Sequence, residues 1–128
     1  MKKLKILIVD DSSVMRKIVE RALRQAGLEV AEVLEASNGA EALAQVQKGT
    51  FDMILSDINM PVMDGLEFLK NLQTVDCAKG IPVVMITTEG SEARVVEALS
   101  AGAKGYLRKP FTAEQVKERV APLLGGSR

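Results

Sequence analysis

Three aspartates stand where short apolar runs of the sequence end. Asp10 and Asp11 follow the run Ile6–Val9, and Asp57 closes the run Met53–Asp57. Two carboxylates about 4 Å apart repel each other by about 4 kcal/mol at an effective dielectric constant near 20, so a cluster of them must take up protons or bind a cation. The sequence has no histidine and a single cysteine. The ligands would therefore all be oxygen atoms, which favours Mg²⁺, with Mn²⁺ as a substitute.

Two further polar residues, Thr87 and Lys109, follow the later apolar run Ile81–Ile86 and the short segment Tyr106–Arg108. A hydroxyl group and an ammonium group beside a metal-bound carboxylate would bind a phosphoryl group. Asp57 would attack phosphorus and become an acyl phosphate, while the cation bridges the carboxylate and phosphoryl oxygens. Taken singly, these residues have plainer interpretations as a helix cap, a strand residue or a solvated surface group. Only their joint position at strand ends favours the site.

The apolar runs and the segments between them predict the elements that must position these side chains. Strands are expected at Ile6–Val9, within Val30–Glu35, and at Met53–Asp57, Ile81–Ile86 and Tyr106–Arg108. A helix is expected after each strand, beginning near Ser12 or Ser13, Asn38, Leu66, Ser91 and Thr112. Arg16 falls on the polar face of the first helix, and Pro122 should end or kink the last helix near Val120.

Alternating strands and helices predict a doubly wound α/β domain with a parallel sheet and right-handed crossovers. Ligands of such sheets bind outside the carboxyl ends of the strands, near the point where the strand order reverses. Those ends carry the polar residues already named, which are Asp10, Asp11, Asp57, Thr87 and Lys109. The predicted fold therefore brings the candidate site together at one edge of the sheet.

The composition is that of an ordinary globular domain. The 128 residues include 17 basic and 17 acidic side chains, so no overall field attracts nucleic acid or an anionic membrane. The first apolar run is too short for a signal peptide or a membrane span, and a lone cysteine fits a reducing compartment. We expect a single cytoplasmic domain over residues 1–128, monomeric, with residues 125–128 as a flexible tail.

The chain resembles the receiver domains of response regulators, and among these the single-domain chemotaxis regulators. The resemblance covers essentially the whole chain and rests on Val9-Asp10-Asp11-Ser12, on Asp57 with Met60-Pro61 and Asp64-Gly65, on Thr87, and on Lys109-Pro110-Phe111. It implies a flavodoxin-like sheet of five strands in the order 2-1-3-4-5 with five helices. It also implies that a histidine kinase phosphorylates Asp57, and that Asn59 adds a main-chain carbonyl to the metal ligands Asp10, Asp11 and Asp57.

Two features of the sequence refine this expectation. Without a histidine of its own, the chain must receive its phosphoryl group from another molecule. The residue two positions after Asp57 is Asn59, whereas aspartate-nucleophile phosphatases place a second aspartate there as general acid and base. We therefore expect a protein that catalyses only its own phosphorylation and dephosphorylation, and is not otherwise an enzyme. Asn59 and Glu89 flank the site as in chemotaxis-type receivers, which predicts moderate self-dephosphorylation.

The resemblance also implies a switch. When Thr87 shifts toward the phosphoryl group, Tyr106 would move inward and alter affinity for a partner such as the flagellar motor switch. The expected partner face comprises Tyr106, Val95, Leu99, Arg108 and Lys117. In the plainer interpretation, Val95 and Leu99 belong to the core and Tyr106 is a half-buried ring with a solvated hydroxyl.

Other functions remain open from the sequence. A non-chemotactic single-domain receiver or a phosphorelay intermediate would share every site residue, and a degenerate receiver used only for binding would lack some. An aspartate-dependent phosphatase is disfavoured by Asn59. A flavin-binding electron carrier is disfavoured because Asp10 and Asp11 would repel an anion. DNA-binding relatives that dimerise carry acidic residues where this chain has Ala103-Lys104-Gly105, and Pro122 shortens a helix that is longer in motor-binding relatives.

Overall fold

The computed structural model describes residues 4–78, 80–87, 92–109 and 111–125. Within these residues, strands and helices alternate along the chain. The strands are β1 (Leu4–Val9), β2 (Val30–Ala36), β3 (Met53–Asp57), β4 (Val83–Thr87) and β5 (Gly105–Arg108). The helices are α1 (Ser13–Gln25), α2 (Gly39–Lys48), α3 (Gly65–Leu72), α4 (Glu92–Ser100) and α5 (Ala113–Gly125), with one 3-10 turn at Asp76–Ala78.

The strands form one parallel sheet in the order β2-β1-β3-β4-β5, which confirms the predicted fold and strand order. The order reverses between β1 and β3, the pair of strands that precedes the candidate acidic residues. β3 lies in the centre of the sheet, and all five of its residues are buried. The sheet therefore holds the end of β3 in a fixed position between two neighbouring strands.

Alternate side chains of the strands pack on opposite faces of the sheet. One face contacts α1 and α5, and its buried strand residues include Ile6, Ile8, Met53, Leu55, Val84 and Ile86. The other face contacts α2, α3 and α4, and its buried strand residues include Leu7, Val9, Ile54, Val83 and Met85. Burial of each large apolar side chain contributes about 1.5–3 kcal/mol to stability. The sheet is thus covered by helices on both faces, and the polar strand ends remain at its edge.

Side-chain caps fix where several helices begin. Ser12, and not Ser13, caps α1, because its Oγ accepts a hydrogen bond from the main-chain nitrogen of Met15 at 3.2 Å. Caps of the same kind begin α2 and α3, at Asn38 and Asp64. The predicted capping box before α5 is confirmed: Gln115 N donates to Thr112 Oγ1 at 3.1 Å, and Thr112 N donates to Gln115 Oε1 at 3.0 Å.

The C-terminal helix departs from the prediction. α5 contains Pro122 and continues to Gly125, so the helix does not end near Val120, which was one of the two outcomes predicted for Pro122. Gly125 is the last residue of α5, and the rest of the expected tail lies outside the described residues. Pro122 removes the hydrogen bond to the carbonyl of Glu118, but both residues are exposed, so water can take that bond. Val120 is fully buried and Leu123 packs against the same core, which holds the last turn in place.

Some predicted features lie outside the described residues: the cap at Ser91, Glu89, Pro110 and residues 126–128. Among the residues that are described, no helix is long and apolar enough to cross a membrane.

Candidate functional site

The carboxyl ends of β1 and β3 bring the three predicted aspartates together. Asp10, Asp11 and Asp57 each place a carboxylate oxygen within 4.8 Å of the other two. Asp10 and Asp57 are buried, with 1% and 8% of their surface exposed, whereas Asp11 is exposed. The cluster therefore has a buried floor and one ligand at the solvent boundary, where a cation with retained waters could enter.

Lys109 brings a positive charge into this cluster from the end of β5. Its Nζ lies 3.3 Å from Oδ2 of Asp10 and 3.6 Å from Oδ2 of Asp57. The main-chain nitrogen of Lys109 donates to the carbonyl oxygen of Thr87 at 2.7 Å, which fixes the start of this segment against the end of β4. Lys109 thus offsets part of the repulsion between two buried carboxylates.

The pKa of the Asp57 carboxyl is raised above its ordinary value, and burial is the main cause. The ammonium group of Lys109 acts in the opposite direction, and the carboxylate of Asp10 raises the pKa further. Hydrogen bonds from the main chain at Ile58 and Asn59 favour the ionised form; the one from Ile58 N to Oδ1 measures 2.8 Å. Ionisation of Asp57, which is needed for nucleophilic attack, therefore costs free energy in this structure. A bound cation would stabilise the ionised form.

The loop after β3 is held close to Asp57. Gly65 N donates to the carbonyl oxygen of Ile58 at 2.7 Å, and Gly39 N donates to the carbonyl oxygen of Met63 at 2.9 Å. A Cβ atom added at Gly65 would overlap the carbonyl oxygen of Asp57 and lie 2.8 Å from Met85 Cε. Glycine is therefore required at position 65 by the close approach of α3 to the end of β3.

Backbone strain is concentrated in the same loop. Val62 has φ 68°, a left-handed conformation that β-branched residues rarely adopt. Met63 N donates to the carbonyl oxygen of Pro61 at 2.7 Å, so Val62 is the central residue of a γ-turn. Its side chain is 81% exposed and makes little compensating packing.

The remaining predicted site residues are placed as follows. Thr87 is the last residue of β4 and is buried, with 3% of its surface exposed. Asn59 is exposed and lies two residues after Asp57, the last residue of β3. Glu89 lies outside the described residues. The structure therefore places Thr87 and Asn59 at the strand ends that border the acidic cluster.

The expected partner face is only partly exposed. Val95 is 8% exposed and packs in the core, so its plainer interpretation is the correct one. Arg108 and Lys117 are exposed, and Leu99 is 42% exposed. Tyr106 is half-buried.

The side chain of Arg119 contacts Tyr106. The guanidinium of Arg119 lies 5.1 Å from the centroid of the Tyr106 ring, and Arg119 Nη1 lies 3.4 Å from the Tyr106 carbonyl oxygen. This contact holds the ring against α5.

Sequence reasoning missed the part that Arg16 plays in the site. Its Nη1 donates to the carbonyl oxygen of Asp10 at 2.6 Å, although the helical pattern assigned Arg16 only to a polar outer face. Nothing in the sequence distinguishes Arg16 from Lys17 or Arg24 on the same helix, because the contact depends on how α1 packs on the sheet.

The donor set fits a hard divalent cation. Three carboxylates converge, two of them buried and one at the surface, and the cluster contains no nitrogen or sulfur ligand. Mg²⁺ binds in such sites through one or two carboxylates and keeps several waters.

Comparison with known proteins defines the class. The sequence pattern of the response regulator receiver domain matches residues 6–121. The chain belongs to this family.

Its relatives include chemotaxis regulators named CheY, which confirms the predicted resemblance to single-domain chemotaxis regulators. The chain is 45% identical over 119 residues to chemotaxis protein CheY-3 of Vibrio cholerae, which covers 93% of this chain and 90% of the relative. The solved structure of chemotaxis response regulator CheY4 of Vibrio cholerae is 42% identical, with a TM-score of 0.83 over 96% of this chain and 100% of that one.

A second similar structure is the receiver domain of a sensor histidine kinase from Pseudomonas aeruginosa, solved with a magnesium ion coordinated in its active-site cleft. It is 25% identical, with a TM-score of 0.83 over 97% of this chain and 99% of that one. This chain is accordingly the receiver domain of a CheY-like response regulator.

Proposed function

We propose that this protein accepts a phosphoryl group on Asp57 from a histidine kinase, in a Mg²⁺-dependent reaction, and thereby changes its affinity for a protein partner. The observation that carries the proposal is the convergence of Asp10, Asp11 and Asp57 within 4.8 Å, with Lys109 Nζ beside two of them. Membership of the receiver family supports it.

In the proposed reaction the ionised carboxylate of Asp57 attacks the phosphorus of a phosphohistidine. A bond forms between phosphorus and the attacking oxygen, the phosphorus–nitrogen bond breaks, and its electron pair returns to the imidazole. Asp10, Asp11, Asp57 and the main-chain carbonyl of Asn59 would hold the Mg²⁺. When bound, that ion neutralises charge shared by the carboxylate and phosphoryl oxygens.

Lys109 and Thr87 would bind the transferred group. Phosphorylation replaces the carboxylate charge of Asp57 with that of a phosphoryl group, roughly −1.5 to −2. The ammonium group of Lys109 is already 3.6 Å from Asp57 Oδ2, so a small movement would bring it to a phosphoryl oxygen. The hydroxyl of Thr87, at the end of β4, would donate to another.

Loss of the phosphoryl group would be slow compared with an enzyme that turns over substrate. Asn59 occupies the position where a phosphatase needs a second aspartate, so a general base for water is lacking there. We therefore propose that the protein catalyses only its own phosphorylation and dephosphorylation, with Asn59 and Glu89 setting the rate.

The proposed readout is motility signalling through a partner such as the flagellar motor switch. The chemotaxis relatives support this choice, and Leu99, Arg108 and Lys117 are exposed and so accessible to a partner. We also propose a cytoplasmic location. The similarity to chemotaxis regulators supports it, and the single cysteine fits a reducing compartment.

Binding measurements test the switch. The wild-type protein with Mg²⁺ and fluoroberyllate, a phosphoryl mimic, is compared with Asp57→Asn for binding to a purified flagellar motor-switch protein. Tighter binding by the wild-type complex is expected. Equal binding by both, for this and every other candidate partner, would contradict the proposed switch. A phosphatase would instead show sustained turnover of an aryl phosphate.

A further inference from the structure

The side chain of Arg16 connects the end of β1, which Asp10 follows, to the end of β2. Its Nη1 donates to the carbonyl oxygen of Asp10 at 2.6 Å, and its Nε donates to Oε1 of Glu35, near the end of β2, also at 2.6 Å. The side chain is 16% exposed, so both bonds are shielded from water. The guanidinium thus bonds directly to the peptide that joins Asp10 to Asp11.

The rest of Asp10 is fixed from other directions. Its main-chain nitrogen donates to the carbonyl oxygen of Ala36 at 3.0 Å, and its Oδ1 accepts a hydrogen bond from Ser12 N at 2.9 Å. Without Arg16, the carbonyl of the Asp10–Asp11 peptide would be free to turn toward water. Such a rotation would displace Asp11, the exposed carboxylate of the cluster, relative to the two buried ones.

We propose that Arg16 is a positioning residue for cation binding: it holds the Asp10–Asp11 peptide so that the carboxylates of Asp10, Asp11 and Asp57 converge. This inference rests on the proposed function, in which that cluster binds Mg²⁺. Arg16 does not touch the cation. It acts as the outer contacts of a metal site do, by fixing the orientation of a ligand.

Glu35 offsets the positive charge of the Arg16 guanidinium, which lies close to the candidate cation site. Its carboxylate pairs with Arg16 at 2.6 Å and with Lys17 at 2.8 Å. Hydrogen bonds from Lys17 and Arg16 hold the pKa of the Glu35 carboxyl below its ordinary value, so it is ionised at neutral pH. The pair thereby weakens the repulsion that Arg16 would otherwise exert on a divalent ion.

Charge and positioning by Arg16 have opposite effects on cation binding, which makes them separable. A positive charge near the site opposes cation binding, so its removal alone would strengthen binding. Loss of positioning would weaken binding. Lysine keeps the charge but lacks the planar guanidinium that reaches Asp10 and Glu35 together.

Arg24 offers a matched control on the same helix. Its Nη2 pairs with Glu20 at 3.2 Å, and its Nη1 donates to the carbonyl oxygen of Val30 at 3.2 Å. Like Arg16, Arg24 therefore pairs with a glutamate and donates to a main-chain carbonyl. It lies at the opposite end of α1 from the carboxylates.

The experiment measures the Mg²⁺ dissociation constant by titration calorimetry for the wild type, Arg16→Lys, Arg16→Met and Arg24→Met, well below each Tm. Tm values without metal are recorded alongside. We expect Arg16→Lys, which keeps the charge, to bind Mg²⁺ about tenfold more weakly than the wild type. Arg16→Met should also bind more weakly than the wild type, but by a smaller factor, because it loses the opposing charge as well. Arg24→Met should bind Mg²⁺ as tightly as the wild type, even if its Tm falls by as much as that of the Arg16 variants. If Arg16→Met fails to fold, the milder Arg16→Lys carries the comparison.

Three outcomes would overturn the inference. Unchanged affinity in the Arg16 variants would mean that the residue serves stability alone. Unchanged affinity in Arg16→Lys with tighter binding in Arg16→Met would mean that only its charge matters. Absence of Mg²⁺ binding by the wild type would remove the metal site itself, and with it that part of the proposed function, whereas the first two outcomes leave the proposed function intact.

Discussion

The ammonium nitrogen of Lys109 lies 3.3 Å from a carboxylate oxygen of Asp10, a residue 99 positions earlier in the chain. Asp10 is 1% exposed and Lys109 is 18% exposed, so water screens the pair poorly. Lys109 also lies 3.6 Å from Asp57. Lys109 therefore offsets part of the negative charge of these two carboxylates, which a bound divalent cation would also offset.

Replacement of Lys109 by methionine should make stability depend strongly on Mg²⁺. Loss of one partner of a buried ion pair costs about 3 kcal/mol, because the other charge is left uncompensated. We expect a loss of that size for Lys109→Met in EDTA and a much smaller loss in excess Mg²⁺, measured by urea denaturation.

Lys104→Met is the control for this substitution, because Lys104 is exposed and lies outside the acidic cluster. It should change stability by no more than about 0.5 kcal/mol in either buffer. An equal loss for Lys109→Met with and without Mg²⁺ would show that the lysine does not substitute for a cation.

The raised pKa of Asp57 predicts how stability varies with pH. Burial, the main cause, makes the folded protein bind a proton at this carboxyl more tightly than the unfolded chain does. The contribution of Asp57 to stability is therefore favourable at low pH and is lost as pH rises through the folded-state pKa. We expect Asp57→Asn to have a higher Tm than the wild type at pH 7 in EDTA.

The difference should shrink as pH falls toward the ordinary pKa of an aspartate, because the wild-type carboxyl is then neutral as well. Thermal unfolding over a pH series in metal-free buffer measures this. A Tm gain that stayed constant down to low pH would contradict the electrostatic explanation.

Gly65 should tolerate no side chain. Alanine at this position would place Cβ against the carbonyl oxygen of Asp57 and 2.8 Å from Met85 Cε. The chain would have to move away, and the hydrogen bond from Gly65 N to the Ile58 carbonyl would be lost. We expect Gly65→Ala to lower the free energy of unfolding by at least about 2 kcal/mol.

Gly105→Ala is the matched control, since a Cβ there meets nothing within 4 Å. Its stability should match that of the wild type within about 0.5 kcal/mol in denaturant titrations. Comparable losses in the two variants would mean that the close approach to Asp57 is not what excludes alanine.

The strained loop offers a stabilising substitution. Val62 has φ 68° and is 81% exposed, so its branched side chain adds strain with little packing in return. Asparagine adopts this conformation more readily, and Val62→Asn should stabilise the protein by about 1 kcal/mol. Val62→Thr keeps the branch at Cβ and should bring no gain, and a gain of the same size in both variants would point to side-chain polarity as the cause.

The sequence determined the strands and their polar ends because each signal is local. Asp57 closes a fully buried strand, as the apolar run Met53–Asp57 had indicated. Contacts between distant segments could not be read in the same way. The bond from Arg16 to Asp10 depends on how α1 packs, and the burial of Val95 depends on the rotation of α4.

Pro122 shows a second reason why a prediction from the sequence was wrong. Its local cost was correctly recognised, but local propensity competes with packing, and the buried Val120 holds α5 together beyond that point. The strand-end rule thus predicted which residues converge, whereas the supporting contacts and helix ends required the tertiary structure.

The central claim is that Asp57 becomes an acyl phosphate. The most direct test is the intact mass of the protein after incubation with Mg²⁺ and acetyl phosphate, a small phosphoryl donor. We predict a gain of one phosphoryl group in the wild type and in Asp52→Ala, a control at the opposite end of the same strand. No gain is expected in Asp57→Ala or in EDTA. Absence of any gain in the wild type, or a gain that persists in Asp57→Ala, would contradict the account.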